Sequence, residues 1–221
     1  LMLRYKKQNK EYPILLFLDI KSAYDTTDRN IIWKALRANN IAQPLLTTLQ
    51  LMFNDVSIEA LLNGYVSSTP FTPSTGVLQG STLSPHLYSI YINSLAQALR
   101  LEPDPAISSP PTYSHIQPSH TLTSIGITHS LTLNSLFFAD DVVIIGNQYN
   151  TQKLLVDLAQ QHSLSLGYRW NPLKSAIILP PHLSTASPPI PSFTLYDQPI
   201  PTVNTFKYLG IYFNHKGIDS K

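Results

Sequence analysis

The sequence contains no cysteine. Disulfides and thiolate zinc sites are therefore excluded, and a disulfide-stapled secreted fold is not expected. Charge is scarce as well: 13% of the 221 residues are Asp, Glu, Lys or Arg, and the net charge is +2. That is too little for a disordered polyelectrolyte, and it permits a basic nucleic-acid surface without requiring one. The one basic cluster, Arg4-Tyr5-Lys6-Lys7-Gln8-Asn9-Lys10, reads first as the solvated end of a helix and second as a phosphate contact. Long apolar runs are missing. Ile14-Leu15-Leu16-Phe17-Leu18 is far shorter than the roughly 20 residues of a membrane helix, so no membrane partner is expected. No signal peptide and no internal repeat is visible, and the seven histidines form no ligand-spaced pair. The chain opens at Leu1 in a helix-like segment, which suggests a piece of a longer, intracellular protein.

What is present is 43% hydrophobic, enough for one core with room for two subdomains. Prolines concentrate in two places, five in 103–118 and seven in 180–201. Residues 102–119 read as an irregular Pro/Ser-rich loop that holds His115, with His120 directly after it, both expected to be exposed. Residues 180–201 read as a Pro-rich connector with one short strand, Ser192 to Tyr196. Elsewhere periodicity is clear. Ile14 to Ile20 suits a strand covered on both faces. Asp28 can cap a helix with Ile31, Ile32, Ala35 and Leu36 on one side, and a second helix covers Pro44 to Phe53. Val56 to Phe71 reads as a hairpin turning at Asn63-Gly64. Ser84-Pro85 reads as a helix start with Ser as cap, followed by Leu87, Tyr91, Leu95 and Ala98 at helical spacing. Thr151 to Leu166 is an amphipathic helix; Ser175 to Leu179 and Phe206 to Phe213 are strands. Helices and hairpins mix without βαβ regularity, so the expected class is α+β.

Asp140 and Asp141 interrupt a hydrophobic run, Leu136-Phe137-Phe138 before and Val142-Val143-Ile144-Ile145 after. Two strands of that composition are expected to be buried. Adjacent carboxylates at their junction repel unless they sit at an exposed turn or bind a cation. An isolated Asp-Asp pair is also what an ordinary hairpin tip carries. Asp19 changes the balance, because it too ends a hydrophobic strand. Two strands that each deliver a carboxylate at one end can pair and bring the acids together. Three hard oxygen donors suit Mg²⁺, and two such ions roughly 3.5–4 Å apart serve nucleotidyl transfer.

These residues carry a resemblance. Leu16-Phe17-Leu18-Asp19-Ile20-Lys21-Ser22-Ala23-Tyr24-Asp25 looks like motif A of reverse transcriptases. Gly76-Val77-Leu78-Gln79-Gly80-Ser81-Thr82-Leu83-Ser84-Pro85 resembles motif B, with Leu78 where the family usually has a basic residue or proline. Phe138-Ala139-Asp140-Asp141 is similar to motif C of the non-LTR, LINE-like branch. Asn171-Pro172-Leu173-Lys174 resembles motif D, and Phe206-Lys207-Tyr208-Leu209-Gly210 resembles motif E, the primer grip. The ordered set, over about residues 12–215, is far more specific than any one of its members.

The resemblance implies a polymerase palm, an antiparallel sheet with helices packed on one face, plus part of the fingers. It implies that residues 1–221 are a reverse transcriptase fragment without the N-terminal fingers and thumb, and that its work is nuclear. The implied reaction is RNA-directed DNA synthesis from an RNA template, a DNA primer and deoxynucleoside triphosphates. Two Mg²⁺ ions, or Mn²⁺ in their place, would be held by Asp19, Asp140 and Asp141. Tyr24 would lie under the incoming sugar and clash with a 2′-hydroxyl; a core aromatic is its bland alternative. Ile20, Gln79, Gly80 and Ala139 would line the nucleotide site, a glycine allowing close backbone approach and a glutamine amide both donating and accepting. Lys174 would act as general acid toward the leaving pyrophosphate, and Phe206 to Gly210 would place the primer end. Asp25 is typical of the branch and receives no chemistry. An RNA-dependent RNA polymerase shares a palm, but Tyr24 after Ala23 and Ala139 before the paired acids argue against it. A non-catalytic remnant that only binds nucleic acid is the alternative of a different class. The oligomeric state is not legible.

Overall fold

The computed structural model describes residues 12–66, 69–99, 115–116, 131–132, 134–146 and 148–218. The basic cluster at residues 4–10 and His120 lie outside them, as does most of the 102–119 loop. In chain order the elements are β1 (Ile14–Leu18), α1 (Ala23–Thr26), α2 (Arg29–Ala38), α3 (Gln43–Asn54), β2 (Leu61–Leu62), β3 (Tyr65–Val66) and α4 (Ser84–Ala98). There follow β4 (His115–Ile116), β5 (Leu131–Thr132), β6 (Ser135–Phe138), β7 (Asp141–Gly146), α5 (Tyr149–Leu166), β8 (Ala176–Ile178) and α6 (Pro181–Ser184). The chain ends on β9 (Thr194–Leu195), β10 (Gln198–Pro199), β11 (Thr205–Tyr208), β12 (Ile211–Asn214) and β13 (Gly217–Ile218). This is the α+β mixture that the periodicity predicts.

The chain divides into two compact units, one of residues 1–20, 95–165 and 169–221, the other of residues 21–94 and 166–168. The first is built on an antiparallel sheet in the order β6-β7-β1-β8. β1 is interior, and all five of its residues are buried, as a strand apolar on both faces requires. On one face Leu15 and Phe17 pack with Val143, Ile145 and Ile178, and Tyr12, Val203, Phe206, Tyr208 and Phe213 lean on that cluster. Phe17 stacks on Phe206 at 4.8 Å. Each such side chain taken fully out of water contributes roughly 1.5–3 kcal/mol before entropy is counted.

Three expectations need correction in this unit. β7 is buried, but β6 is an edge strand, and Leu136 and Phe138 are exposed on it. The proline-rich 180–201 segment holds a helical turn and two strands, not one: β9 and β10 form a hairpin through Tyr196 (φ 52°) and Asp197 (φ 63°). His115 and Ile116, read as loop, pair with Leu131 and Thr132.

α5 carries a buried histidine. His162 is 8% exposed, and burial holds its pKa below the usual 6.5. Below about pH 6.5 the unfolded chain takes up a proton that the native histidine resists. Stability is therefore full above that pH and is lost as pH falls toward the lower native value. A urea midpoint that drops between about pH 7 and about pH 5.5, with a flatter profile in His162→Leu, is the expected result. Coincident slopes for the two proteins would exclude His162 as the cause.

In the second unit Asp28 caps α2 as predicted, its Oδ1 accepting from the Asn30 amide at 2.8 Å. Ile32, Trp33 and Leu36 form the buried face, with Ile31 at its margin. The hairpin turns at Asn63 (φ 49°) and Gly64 (φ 83°), and Ile58 bridges Phe71 further out. Ser84 does not cap α4. It is the first residue of the helix, its hydroxyl is buried, and that hydroxyl has no partner among the described residues. In the turn that leads into the helix, Ser81 Oγ accepts from the Leu83 amide at 3.3 Å.

Candidate active site

The carboxylates meet because of strand register. The β1–β7 ladder runs to Leu18 opposite Val142, and one step further stand Asp19 and Asp141. Asp141 also closes the β6–β7 hairpin opposite Phe138, across a turn made by Ala139 (φ 51°) and Asp140. Asp19 is tied down from the other side. Its amide donates to Ser175 Oγ at 3.2 Å, and its carbonyl accepts from the Asn171 amide at 2.8 Å. Ser175 Oγ in turn donates to the Asn171 carbonyl at 2.8 Å, so residues 171–175 wrap the end of β1. Ile20 continues this edge as a bridge to Trp170 with its side chain buried.

The electrostatics follow from this placement. Burial pushes the Asp19 carboxyl above the usual range; Lys174 opposes that shift, Asp140 adds to it, and a side-chain hydrogen bond from Asn171 opposes it. Asp141 is raised by burial, then by Asp140 and Asp19. Three carboxylates thus act on one another at one end of the sheet, where ionising all of them is unfavourable without a cation. Among the described residues no group of three or more His, Cys, Asp or Glu side chains forms a closed ligand set for one ion. Spreading is what mutual repulsion favours. Carboxylate oxygens are hard donors, the kind that Mg²⁺ and Mn²⁺ take in general.

A cleft of about 260 Å³ opens beside the acids, lined by Phe17, Leu18, Asp19, Asp141, Lys174 and residues 206–209. It brings together elements that lie far apart in sequence: motif A, motif C, the exposed Lys174 and the 206–210 hairpin. Burial and then the nearby Asp141 raise the Tyr208 phenol to about 12, so it stays protonated. Phe206 and Tyr208 pack on Phe17, Lys207 lies over the Tyr212 ring at 5.7 Å, and Leu209-Gly210 form the hairpin turn with φ of 48° and 81°.

Tyr24, Gln79 and Gly80 belong to the second unit. Tyr24 is half-buried and stacks on Tyr88 at 5.1 Å with rings 8° apart. The segment before Gln79 is fastened to the turn that carries it: Gly76 N–H donates to the Thr27 carbonyl and Val77 N–H to the Tyr24 carbonyl, both at 2.8 Å. Gln79 Nε2 donates to Asp25 Oδ1 at 3.4 Å. Gly80 has φ +87°, with nothing within 4 Å of where a Cβ would project. Sequence reasoning missed Ser175, Asp25 as acceptor, and Arg29, which donates to four backbone carbonyls. Ser175 directly follows Lys174 and Arg29 stands four residues after Asp25, but no periodicity marks what they bind.

Comparisons with known proteins identify the family and the fold. Residues 2–213 match the family model described as reverse transcriptase (RNA-dependent DNA polymerase). The Pol polyprotein of type-1 retrotransposable element R2 from Popillia japonica is 28% identical over 91% of this chain and 31% of its own length. That of type-2 element R2DM from Drosophila melanogaster is 24% identical over 98% of this chain and 19% of its own length. The chain thus spans about a third or less of these relatives. Among solved structures, apo telomerase from Candida tropicalis, truncated from its C-terminal domain, superposes with a TM-score of 0.62 at 16% identity, covering 99% of this chain and 38% of that one. Telomerase from the same organism in complex with a fragment of telomeric RNA gives 0.61 at 15%, covering 98% and 31%. The fold is that of a polymerase palm and fingers. Because the family match runs over nearly all its length, the chain belongs to the reverse transcriptases, on the non-LTR retrotransposon branch.

Proposed function

We propose that this domain carries out RNA-templated DNA synthesis, joining a primer 3′-hydroxyl to the α-phosphate of a deoxynucleotide with release of pyrophosphate. The observation that supports it most is the register that sets Asp19 beside Asp141, with Asp140 in the adjoining turn. Asp19 and Asp140 would be the principal ligands of a pair of divalent cations, and Asp141 the third acid. When bound, such cations supply Lewis acidity to the attacking and leaving oxygens. Lys174 lines the same cleft and would give a proton to the leaving pyrophosphate. The hairpin at Phe206–Gly210 would seat the primer end against that cleft. Tyr24 would exclude a ribose 2′-hydroxyl, and Ile20 and Ala139 would contribute main chain beside the acids. A nuclear site of action goes with this reading. No helix among the described residues is long and apolar enough to cross a membrane.

The test is primer extension on an RNA template with deoxy- and ribonucleotides. Wild type is expected to prefer deoxynucleotides, and Tyr24→Val to raise relative ribonucleotide use by about 10- to 100-fold, the range a single steric contact controls. A wild-type preference for ribonucleotides would overturn the reading.

A further inference from the structure

Arg29 is a cation where the local sequence gives no reason for one. It is the first residue of α2, the end of a helix where positive charge is unfavourable. Yet it is only 7% exposed, and burial lowers its pKa. Among the described residues its partners are carbonyl oxygens. Nε donates to Gly76 at 2.8 Å, one terminal nitrogen to Phe53 at 2.5 Å, and the other to Pro73 at 2.5 Å and Thr75 at 3.0 Å. Phe53 lies in the last turn of α3, where the helix dipole favours a cation. The other three acceptors lie in the loop that leads to Gln79. A rigid planar fork with five donors can hold four carbonyls from two segments in fixed directions; a lysine ammonium, with three donors on one atom, cannot reproduce that arrangement.

The far side of that loop is fastened to the Tyr24 turn. Besides the Gly76–Thr27 and Val77–Tyr24 bonds, Thr75 Oγ1 donates to the Asp25 carbonyl at 3.1 Å, and Gln79 reaches the Asp25 carboxylate. Arg29 therefore holds one side of a short strip of backbone whose other side carries Tyr24 and whose end carries Gln79. Shifting the strip shifts both.

We propose that Arg29 is a positioning residue for nucleotide selection, fixing residues 73–79 so that Tyr24 and Gln79 keep one mutual arrangement. This rests on reading Tyr24 as the sugar gate. In this role Arg29 acts through the loop, which its hydrogen bonds hold. Its loss should loosen discrimination between deoxy- and ribonucleotides and raise the deoxynucleotide KM more than it lowers kcat.

The experiment measures kcat/KM for a deoxynucleotide and for the matching ribonucleotide in the full chain, comparing wild type, Arg29→Lys, Thr75→Val and Tyr24→Val. The expected result is a discrimination ratio lowered about tenfold in Arg29→Lys, and less, in the same direction, in Thr75→Val. A merely structural role would lower the fraction of active enzyme and so the apparent kcat, leaving the ratio and KM unchanged. Thr75 is exposed, so its variant decides the matter if Arg29→Lys does not fold. Unchanged ratios in Arg29→Lys and Thr75→Val, with discrimination lost in Tyr24→Val, overturn the role of Arg29 alone. Discrimination retained in Tyr24→Val overturns the gate and this inference with it.

Discussion

Asp19→Asn is expected to remove DNA synthesis, by about a thousandfold or more, while making the metal-free protein more resistant to heat. The two effects have one origin. The Asp19 carboxylate is disfavoured by burial; Lys174 offsets part of that, Asp140 worsens it, and the Asn171 side chain relieves some again. An amide of the same shape keeps a carbonyl oxygen for Asn171 and sheds the charge. Its main-chain bonds to Ser175 and Asn171 do not involve the side chain and should persist. Activity falls because a neutral amide is a poor ligand for a hard dication, and losing several kcal/mol of charge stabilisation costs about one decade per 1.4 kcal/mol. Thermal unfolding in a chelator and primer extension in Mg²⁺ check the pair. A variant that is both inactive and less stable points to misfolding, and one that stays active removes Asp19 from the chemistry.

Gly76→Ala should be strongly destabilising although it adds a single methyl group. Gly76 has φ +85°, and a Cβ there would lie 2.8 Å from the Tyr24 carbonyl oxygen and 2.9 Å from that of Asp25. Those atoms are backbone and cannot swing aside. The left-handed conformation costs an L-residue about 1–2 kcal/mol. Moving the strip weakens the Gly76–Thr27, Val77–Tyr24 and Arg29–Gly76 bonds, each worth about 0.5–1.5 kcal/mol. A loss of about 2–4 kcal/mol in chemical denaturation is expected. Gly80→Ala is the control: with φ +87° but nothing within 4 Å of its Cβ position, it should cost only about 1–2 kcal/mol. Equal losses at both positions would mean that the close approach at Gly76 contributes nothing.

What was legible in the sequence is what depends on neighbours along the chain. The apolar run at Ile14–Leu18, the Asp-Asp turn and the Asn63-Gly64 hairpin are local patterns, and each formed where expected. The convergence of Asp19 on Asp141 was inferable too, since each ends a buried strand. Long-range polar contacts were not legible. Arg29 meets carbonyls 24 to 47 residues away, and no side-chain pattern announces a carbonyl. The β9–β10 turn was hidden because Tyr196 and Asp197 take positive φ without glycine. Tyr196 is held there by Ser163, whose oxygen is 2.6 Å from its hydroxyl, and by the Trp170 amide. Ser84-Pro85 has the composition of a cap, but the helix already includes Ser84, whose buried hydroxyl has no partner among the described residues.

Three carboxylates at the end of the β1–β7 ladder are proposed to make this domain a metal-dependent polymerase. RNA-templated primer extension by wild type and Asp140→Asn, each titrated with Mg²⁺ and with Mn²⁺, tests it most directly. Synthesis that requires the cation in wild type, and that no concentration of either ion restores in Asp140→Asn, is the predicted result. Extension by Asp140→Asn at wild-type rates would contradict it.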